Sequence, residues 1–452
     1  MTVTAERSTL PVQPAPVRVR ANALLAGIGV GTVMVIALWW HDTSTIRGFG
    51  DWLTNAGRVT GLLAGYAVAV LLLLMARVPA IDRGVGSDRL ARWHSMGGRY
   101  TVSLASAHAA LIIWGYAVTA HTNVVSQTKA LIVSYPDVLM ATAALGLLIG
   151  VGIVSARAVR TRLSYETWHY LHFYTYLAVA LAFSHQFATG ADFMTHPAAR
   201  LLWGAMYAVV AALVLWYRFL TPTMNAVRHR AHVERVQPEG PNVVSIVVYV
   251  HDLSRLGVEA GQFFRWRFLT RDMWWQAHPF SISAPPQGNY LRVTVKGLGD
   301  HSRDLAHLTV GTRVILEGPY GAFTAAKRRR RKVLLIAGGI GITPLRALLE
   351  TMPAKPGDLT LVYRINTPEE AVFVSELKTL AASRGVELYN LVGAPGSHND
   401  PFVGKRLRQL IPDVSRRDVF LCGPPGFADA AKEASRGVGV PRRHIHIEQF
   451  AF

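Results

Sequence analysis

The chain has 452 residues, 51% of them hydrophobic and 17% charged, with a formal net charge of +19. Apolar runs of about twenty residues fill it up to about Leu220, which excludes a wholly soluble protein, and the arginine excess beside those runs is membrane usage that excludes a nucleic-acid partner. The single cysteine, Cys422, excludes an intramolecular disulfide and a thiolate metal site, so any metal must rest on histidine or carboxylate.

The polar, Pro-rich tail leads into an apolar run with no small-residue cleavage site, which reads as an uncleaved first span. Six segments are expected to cross the bilayer: 22–40, 56–76, 99–120, 133–155, 168–188 and 200–220. Arg77, Arg83, Arg89 and Arg92 follow the second, Arg157, Arg160 and Arg162 the fourth, and Arg218, Arg228 and Arg230 the sixth. The opposite loops hold few basic residues, so both termini and the second half are expected in the cytoplasm.

Spans three and five carry histidines, His94 and His108 on one, His172 and His185 on the other. Imidazole in hydrocarbon is costly unless bound or paired, and is a functional hypothesis by default. Fourteen residues separate the first two, about 21 Å of helical rise with both rings near one face. Thirteen separate the second two, a rise of about 20 Å. Both helices run outward, so His94 faces His172 at inner depth and His108 faces His185 at outer depth. Imidazoles facing across a gap suit axial ligation of haem iron, and two such haems cover most of a ~30 Å core. Thirteen residues also rotate about 140° away from the starting face. Either span five is locally distorted or His169 takes the inner position. His121 and His196, in outer loops, read as surface residues.

From about Ala231 to Thr324, short alternating runs broken by Gly and Pro predict a small β-barrel. It contains His278-Pro279-Phe280-Ser281, then Lys296-Gly297-Leu298-Gly299 with Ser302, then Gly318-Pro319-Tyr320-Gly321. A hydroxyl beside a fixed proline suits a flavin edge, and a glycine turn with a cation suits a pyrophosphate, although each is also ordinary turn chemistry. Lys327–Lys332, with Arg328–Arg331 inside it, reads as a solvated linker or a contact with anionic lipid headgroups.

The pattern then becomes strand, turn and helix. Val333–Ile336 is a buried strand, and Gly338, Gly339, Gly341, Thr343 and Pro344 open a helix whose N-terminus favours a pyrophosphate. A second strand ends on Arg364 with no carboxylate before Glu369. Its guanidinium suits a 2′-phosphate, so NADPH is expected over NADH, with a surface pair to Glu369 or Glu370 as the alternative. A third strand, Val419–Leu421, leads into Cys422-Gly423-Pro424. The chain closes on Glu448-Gln449-Phe450-Ala451-Phe452.

The histidine pairs, with Tyr165-Glu166-Thr167-Trp168 before His172, resemble the ferric reductase and NADPH oxidase family of transmembrane flavocytochromes, including its bacterial members. The motifs of the second half resemble the ferredoxin reductase superfamily. The resemblance implies a multi-domain protein: a cytoplasmic tail (1–21), a six-helix transmembrane haem bundle (22–224), an FAD-binding β-barrel (225–326) and a Rossmann-like α/β NAD(P)-binding domain (327–452). It implies that Ser281 lies near the flavin ring and Lys296 and Ser302 near the phosphates. It implies that Cys422 sits beside the nicotinamide, and that Phe450, after Glu448, stacks on the flavin, with Phe452 as a rival. The implied cofactors are FAD, two haem b groups and NADPH (NADH possible). The implied activity moves electrons from cytoplasmic NAD(P)H to ferric iron or dioxygen outside; the alternative is a haem conduit serving a partner redox protein. In animal oxidases of the family a further histidine stands one turn after the outer ligand of span three; here that position is Ile112.

Overall fold

The computed structural model describes residues 17–43, 46–160, 162–163, 165–194, 196–398 and 400–449. The expectation placed on Phe450, and on its rival Phe452, lies outside them.

The first half is helical: α1 (Ala21–His41), α2 (Phe49–Met75), α3 (Ser87–Thr119), α4 (Val138–Ser155), α5 (Tyr165–Thr189) and α6 (Pro197–Val214). Five described helices are long and apolar enough to cross a membrane, the last being α6 with its continuation to His229. The 25-residue α5 is long enough, but with its histidines and Gln186 it is not among those five. Several boundaries differ from the sequence expectation: α2 starts at Phe49 rather than at 56, and α4 at Val138 rather than at 133. Helix α3 starts at Ser87 rather than at 99, so His94 lies well inside it, because the polar first turns still pack against neighbouring helices. A separate helix, Val124–Ser134, capped by the Asn123 side chain on the Ser126 amide, precedes α4. Helix α3 packs mainly on α2 and α5 mainly on α4.

The next unit is two three-stranded antiparallel sheets, in the orders β1 (His232–Gly240), β2 (Val243–Tyr249), β5 (Tyr290–Lys296) and β4 (His278–Ser281), β3 (Phe263–Phe268), β6 (Val314–Tyr320). Period-two alternation makes the core: Phe264, Trp266 and Phe268 of β3 are fully buried, and Arg265 and Arg267 point the other way. Single bridges, Ile282 to Val293 and His232 to Arg313, join the sheet edges.

The last unit is a five-stranded parallel sheet with helices on it. Its order is β11 (Ile445–Gln449), β10 (Asp418–Gly423), β7 (Val333–Gly338), β8 (Leu359–Ile365), β9 (Glu387–Val392). Successive strands β7, β8 and β9 run to one side and β10 and β11 to the other. The order therefore reverses between β7 and β10, the crevice where such sheets bind ligands. Helix α7 (Ile342–Thr351) follows β7 and helix α8 (Pro425–Gly437) follows β10.

The basic linker is tied into this unit. The Arg329 and Arg330 amides donate to Asp418 Oδ2 (2.5 and 2.7 Å), the Arg330 side chain to the Ser415 carbonyl, and Lys332 pairs with Asp413 (2.8 Å).

Candidate functional site

Between α3 and α5 the four histidines meet in two pairs. The ring centres of His94 and His172 are 5.9 Å apart, and those of His108 and His185 are 6.3 Å apart. Each ring contacts the protein through Nδ1: His94 to the Leu71 carbonyl (3.3 Å), His108 to Gly57 (2.8 Å), His185 to Ala182 (2.7 Å), and His172 to the Ser155 hydroxyl (3.5 Å). A carbonyl only accepts, so Nδ1 carries the proton in three of them and the Nε2 lone pair is left for a metal. Two metal–nitrogen bonds of about 2 Å each, plus about 1 Å from nitrogen to ring centre, span about 6 Å. The observed separations fit that sum. Among the described residues no group of three or more His, Cys, Asp or Glu is placed to hold an ion.

The 13-residue spacing does not break α5, which is α-helical throughout. The rings leave it in different directions instead, His172 towards Ser155 of α4 and His185 back along its own helix. His169 packs on Phe173 and lines a cavity on the inner side. Close approach also shapes the outer pair: a Cβ on Gly61 would stand 2.5 Å from His108 Nδ1.

That cavity, of about 290 Å³, lies between the inner ends of α5 and α6 and the two-sheet unit. His169, Tyr170 and Arg218 line it from the helices, and Arg265, His278, Glu317 and Tyr320 from the sheets. Glu317 pairs with Arg265 (3.1 Å) and Arg267 (3.3 Å), and the Arg77 guanidinium lies 4.4 Å over the Tyr320 ring. His278 bonds Gln276 (3.2 Å), Phe280 stacks on His278, and Pro279 is exposed. Gly318 and Gly321 flank Tyr320, and the Gly321 amide donates to Asp82 of the helix Pro79–Val85, between α2 and α3 (3.1 Å).

Ser281 Oγ, Gln262 Nε2 and Thr324 Oγ1 are buried with no hydrogen-bond partner among the described residues. Ser281 and Gln262 are neighbours across the β3–β4 edge, where the Ile282 amide donates to the Gln262 carbonyl (3.1 Å). An unpaired buried polar group costs about 1–3 kcal/mol, so this junction suits a polar ligand such as a flavin. Gln262 carries no motif; only the fold brings it to Ser281. Lys296 pairs with Glu370 of the nucleotide unit (3.3 Å), and Ser302 Oγ accepts from the Leu298 and Gly299 amides (2.8 and 2.9 Å), which fixes that turn.

At the crevice between β7 and β10, Gly339 has φ +53° and open space where a Cβ would stand, and Gly341 lies so close to β10 that a Cβ would meet the Cys422 carbonyl at 2.3 Å. Gly338 and Gly423 both pack on Phe427. Thr343 bonds the Ile340 carbonyl (3.0 Å), and Pro344 is buried in the first turn of α7. Pro424 precedes α8. Cys422 is fully buried; burial first, then Glu448 and Asp88, pushes its thiol well above the usual range. Glu448 sits opposite Cys422 on β11, and burial, then Asp88 and Asp82, raises its carboxyl well above the carboxylate range. Arg364, at the end of β8, is 8% exposed; Nη2 donates to the Gly393 carbonyl (3.0 Å) and lies 4.0 Å from Asp400. Neither Glu369 nor Glu370 is its partner in these contacts.

Three family models match the chain in series. They are a ferric reductase like transmembrane component over residues 60–183, an FAD-binding domain over 229–324 and an oxidoreductase NAD-binding domain over 335–433. The glycine betaine monooxygenase reductase subunit of Chromohalobacter salexigens is 29% identical over 38% of this chain and 50% of its own length. The flavohemoprotein of Vibrio cholerae is 31% identical over 38% of this chain and 45% of its own. The FAD/NAD-binding domain of nitric oxide dioxygenase from Vibrio cholerae is a solved structure 26% identical, with a TM-score of 0.42, covering 49% of this chain and 99% of that one. The chain spans about half the length of these curated relatives.

Proposed function

Because the chain belongs to the ferric-reductase-like transmembrane family and carries FAD-binding and NAD-binding oxidoreductase domains, we propose that it moves electrons from cytoplasmic NAD(P)H, by way of FAD and two b-type haems, to ferric iron or dioxygen across a bacterial cell membrane. The observation that carries this reading is the two facing histidine pairs, each with about 6 Å between ring centres and three of the four rings bonded to a carbonyl through Nδ1. When bound, the flavin supplies the conversion between two-electron and one-electron chemistry, and haem iron supplies one-electron carriage.

The chain's own residues set the rest. Gly339 and Gly341 let a dinucleotide approach the backbone at the crevice, and the Glu448 carboxyl, raised above the carboxylate range by burial, lies beside Cys422. Ser281, Gln262 and Thr324 offer hydrogen bonds to the flavin, and the six strands form its barrel. His94 and His172 hold the inner haem, at the helix ends that the cavity adjoins, and His108 and His185 the outer one. Helix α5 completes six spans, with its polar side chains turned to the haems. Basic residues after α2, α4 and α6 set both ends of the helical half inward. The contacts from the loop of Asp82 and Arg77 to the sheets favour a self-contained reductase over a conduit for a partner.

The test is sidedness. In sealed inside-out vesicles, NADPH added outside should reduce a membrane-impermeant ferric chelate trapped within. Reduction only of chelate on the same side as NADPH would refute transmembrane transfer.

A further inference from the structure

The sheet unit carries an exposed aromatic turn at its membrane end. Residues 269–276 leave β3, and the turn is held by its own bonds: the Met273 amide donates to Thr270 Oγ1 (3.2 Å), the Trp274 amide to the Thr270 carbonyl (3.2 Å) and the Gln276 amide to the Met273 carbonyl (3.0 Å). Met273 is buried in the sheet core. A fixed turn therefore presents Trp274, 58% exposed, with Trp275 and Leu269 also exposed. Its height is set by the cavity, where Trp275 shares the lining with Tyr170 of α5 and Phe219 beyond α6. Arg218 in the same lining donates to the Met75 carbonyl at the end of α2, which on the membrane-spanning reading is the level at which the helices leave the bilayer. Tyr170, Trp216 and Phe219 are themselves exposed there.

We propose that Trp274 and Trp275 anchor the sheet unit in the headgroup layer of the cytoplasmic leaflet. The occupant of this face is the lipid interface. Indole rings favour that layer, apolar in body and polar at the ring nitrogen, and Arg271, exposed on the same turn, suits anionic headgroups. The belt of the spans thus continues onto a domain that does not cross. Two anchored side chains, besides the protein contacts, hold the cavity wall formed by Trp275, Gln276 and His278 against the helix ends.

The inference rests on the membrane-spanning reading, and one experiment separates the two. Cys422 is fully buried, so an introduced cysteine takes a thiol-reactive fluorophore selectively. The cofactor-loaded full chain is placed in nanodiscs containing phosphatidylglycerol and labelled in turn at Trp274→Cys, Arg271→Cys, Val209→Cys on the exposed face of α6, and Val403→Cys on the nucleotide unit. Quenching by lipids brominated on the acyl chain is compared with quenching by aqueous iodide. The expected bromide-to-iodide ratio at positions 274 and 271 is several times that at 403. A ratio equal to that at 403, or shielding from both quenchers by a protein partner or second copy, would overturn the anchor. Loss of bromide quenching at 209 would instead fault the spanning reading itself.

Discussion

Each of the four paired imidazoles reaches the protein through Nδ1, to Leu71, Gly57, Ala182 and the Ser155 hydroxyl, and on the proposed reading this orients Nε2 for a metal. Their pairing was legible in the sequence because depth follows from counting residues along two parallel helices. The choice between His172 and His169 was not, because it turns on side-chain direction. The rings leave α5 differently, and His172 rather than His169 stands 5.9 Å from His94. Gln262 was invisible because it meets Ser281 only through strand pairing. His108→Leu or His185→Leu should each lose about half the haem per chain and leave the inner pair loaded; full haem retention in both variants, by pyridine haemochrome assay, would contradict the outer assignment. Arg364 is already bonded to Gly393, so part of its guanidinium is committed. A remaining charge-assisted bond to a 2′-phosphate is worth about 1.5–3 kcal/mol, at least about tenfold in kcat/KM for NADPH over NADH. Arg364→Ala should bring that ratio close to one, and an unchanged ratio in steady-state assays would remove the residue from nucleotide choice.

At the scale of elements, the change from short alternating strands to strand, turn and helix was readable in the sequence, and the helix boundaries were less so; the order of the strands in each sheet comes only from the structure. Helix α3 begins twelve residues before the expected span because its polar first turns leave no hydropathy signal. The linker Lys327–Lys332 read as solvated or lipid-facing; instead its backbone caps β10 through Asp418. The same carboxylate accepts from His444 (2.6 Å), and His446 lies 3.8 Å away on β11. Burial, helped by Lys327 and Arg329 against the pull of Asp418, lowers His446 to about 4, from about 6.5 for a free imidazole. The unfolded chain then takes up a proton near pH 6.5 that the folded chain refuses until about 4. Stability from this group is whole above about 6.5 and falls as pH drops towards 4, by at most about 1.4 kcal/mol per unit. His446→Phe should flatten that decline in thermal unfolding of the nucleotide unit within the full chain, and an unaltered pH slope would contradict the linkage.

For the whole molecule, the decisive arrangement is that the segment between α2 and α3, together with Arg18 before α1, reaches the other two units. Asp82 accepts from Gly321, Arg77 covers Tyr320, the Gly84 carbonyl accepts from Lys327 (3.0 Å), and Arg18 pairs with Glu259 (2.8 Å). None of these contacts has a sequence signature, since they join residues more than 230 positions apart. They leave the cavity against the ends of α5 and α6 nearest His169 and Arg218, while His108 and His185 lie towards the far ends of α3 and α5. The account therefore requires three cofactors per chain in fixed proportion. The most direct test is the haem-to-flavin ratio of the purified, cofactor-replete protein, from the pyridine haemochrome and from flavin released on denaturation. Two haems per FAD, with the paired low-spin bands of bis-histidine iron, is the predicted result; one haem or none per FAD would contradict the account.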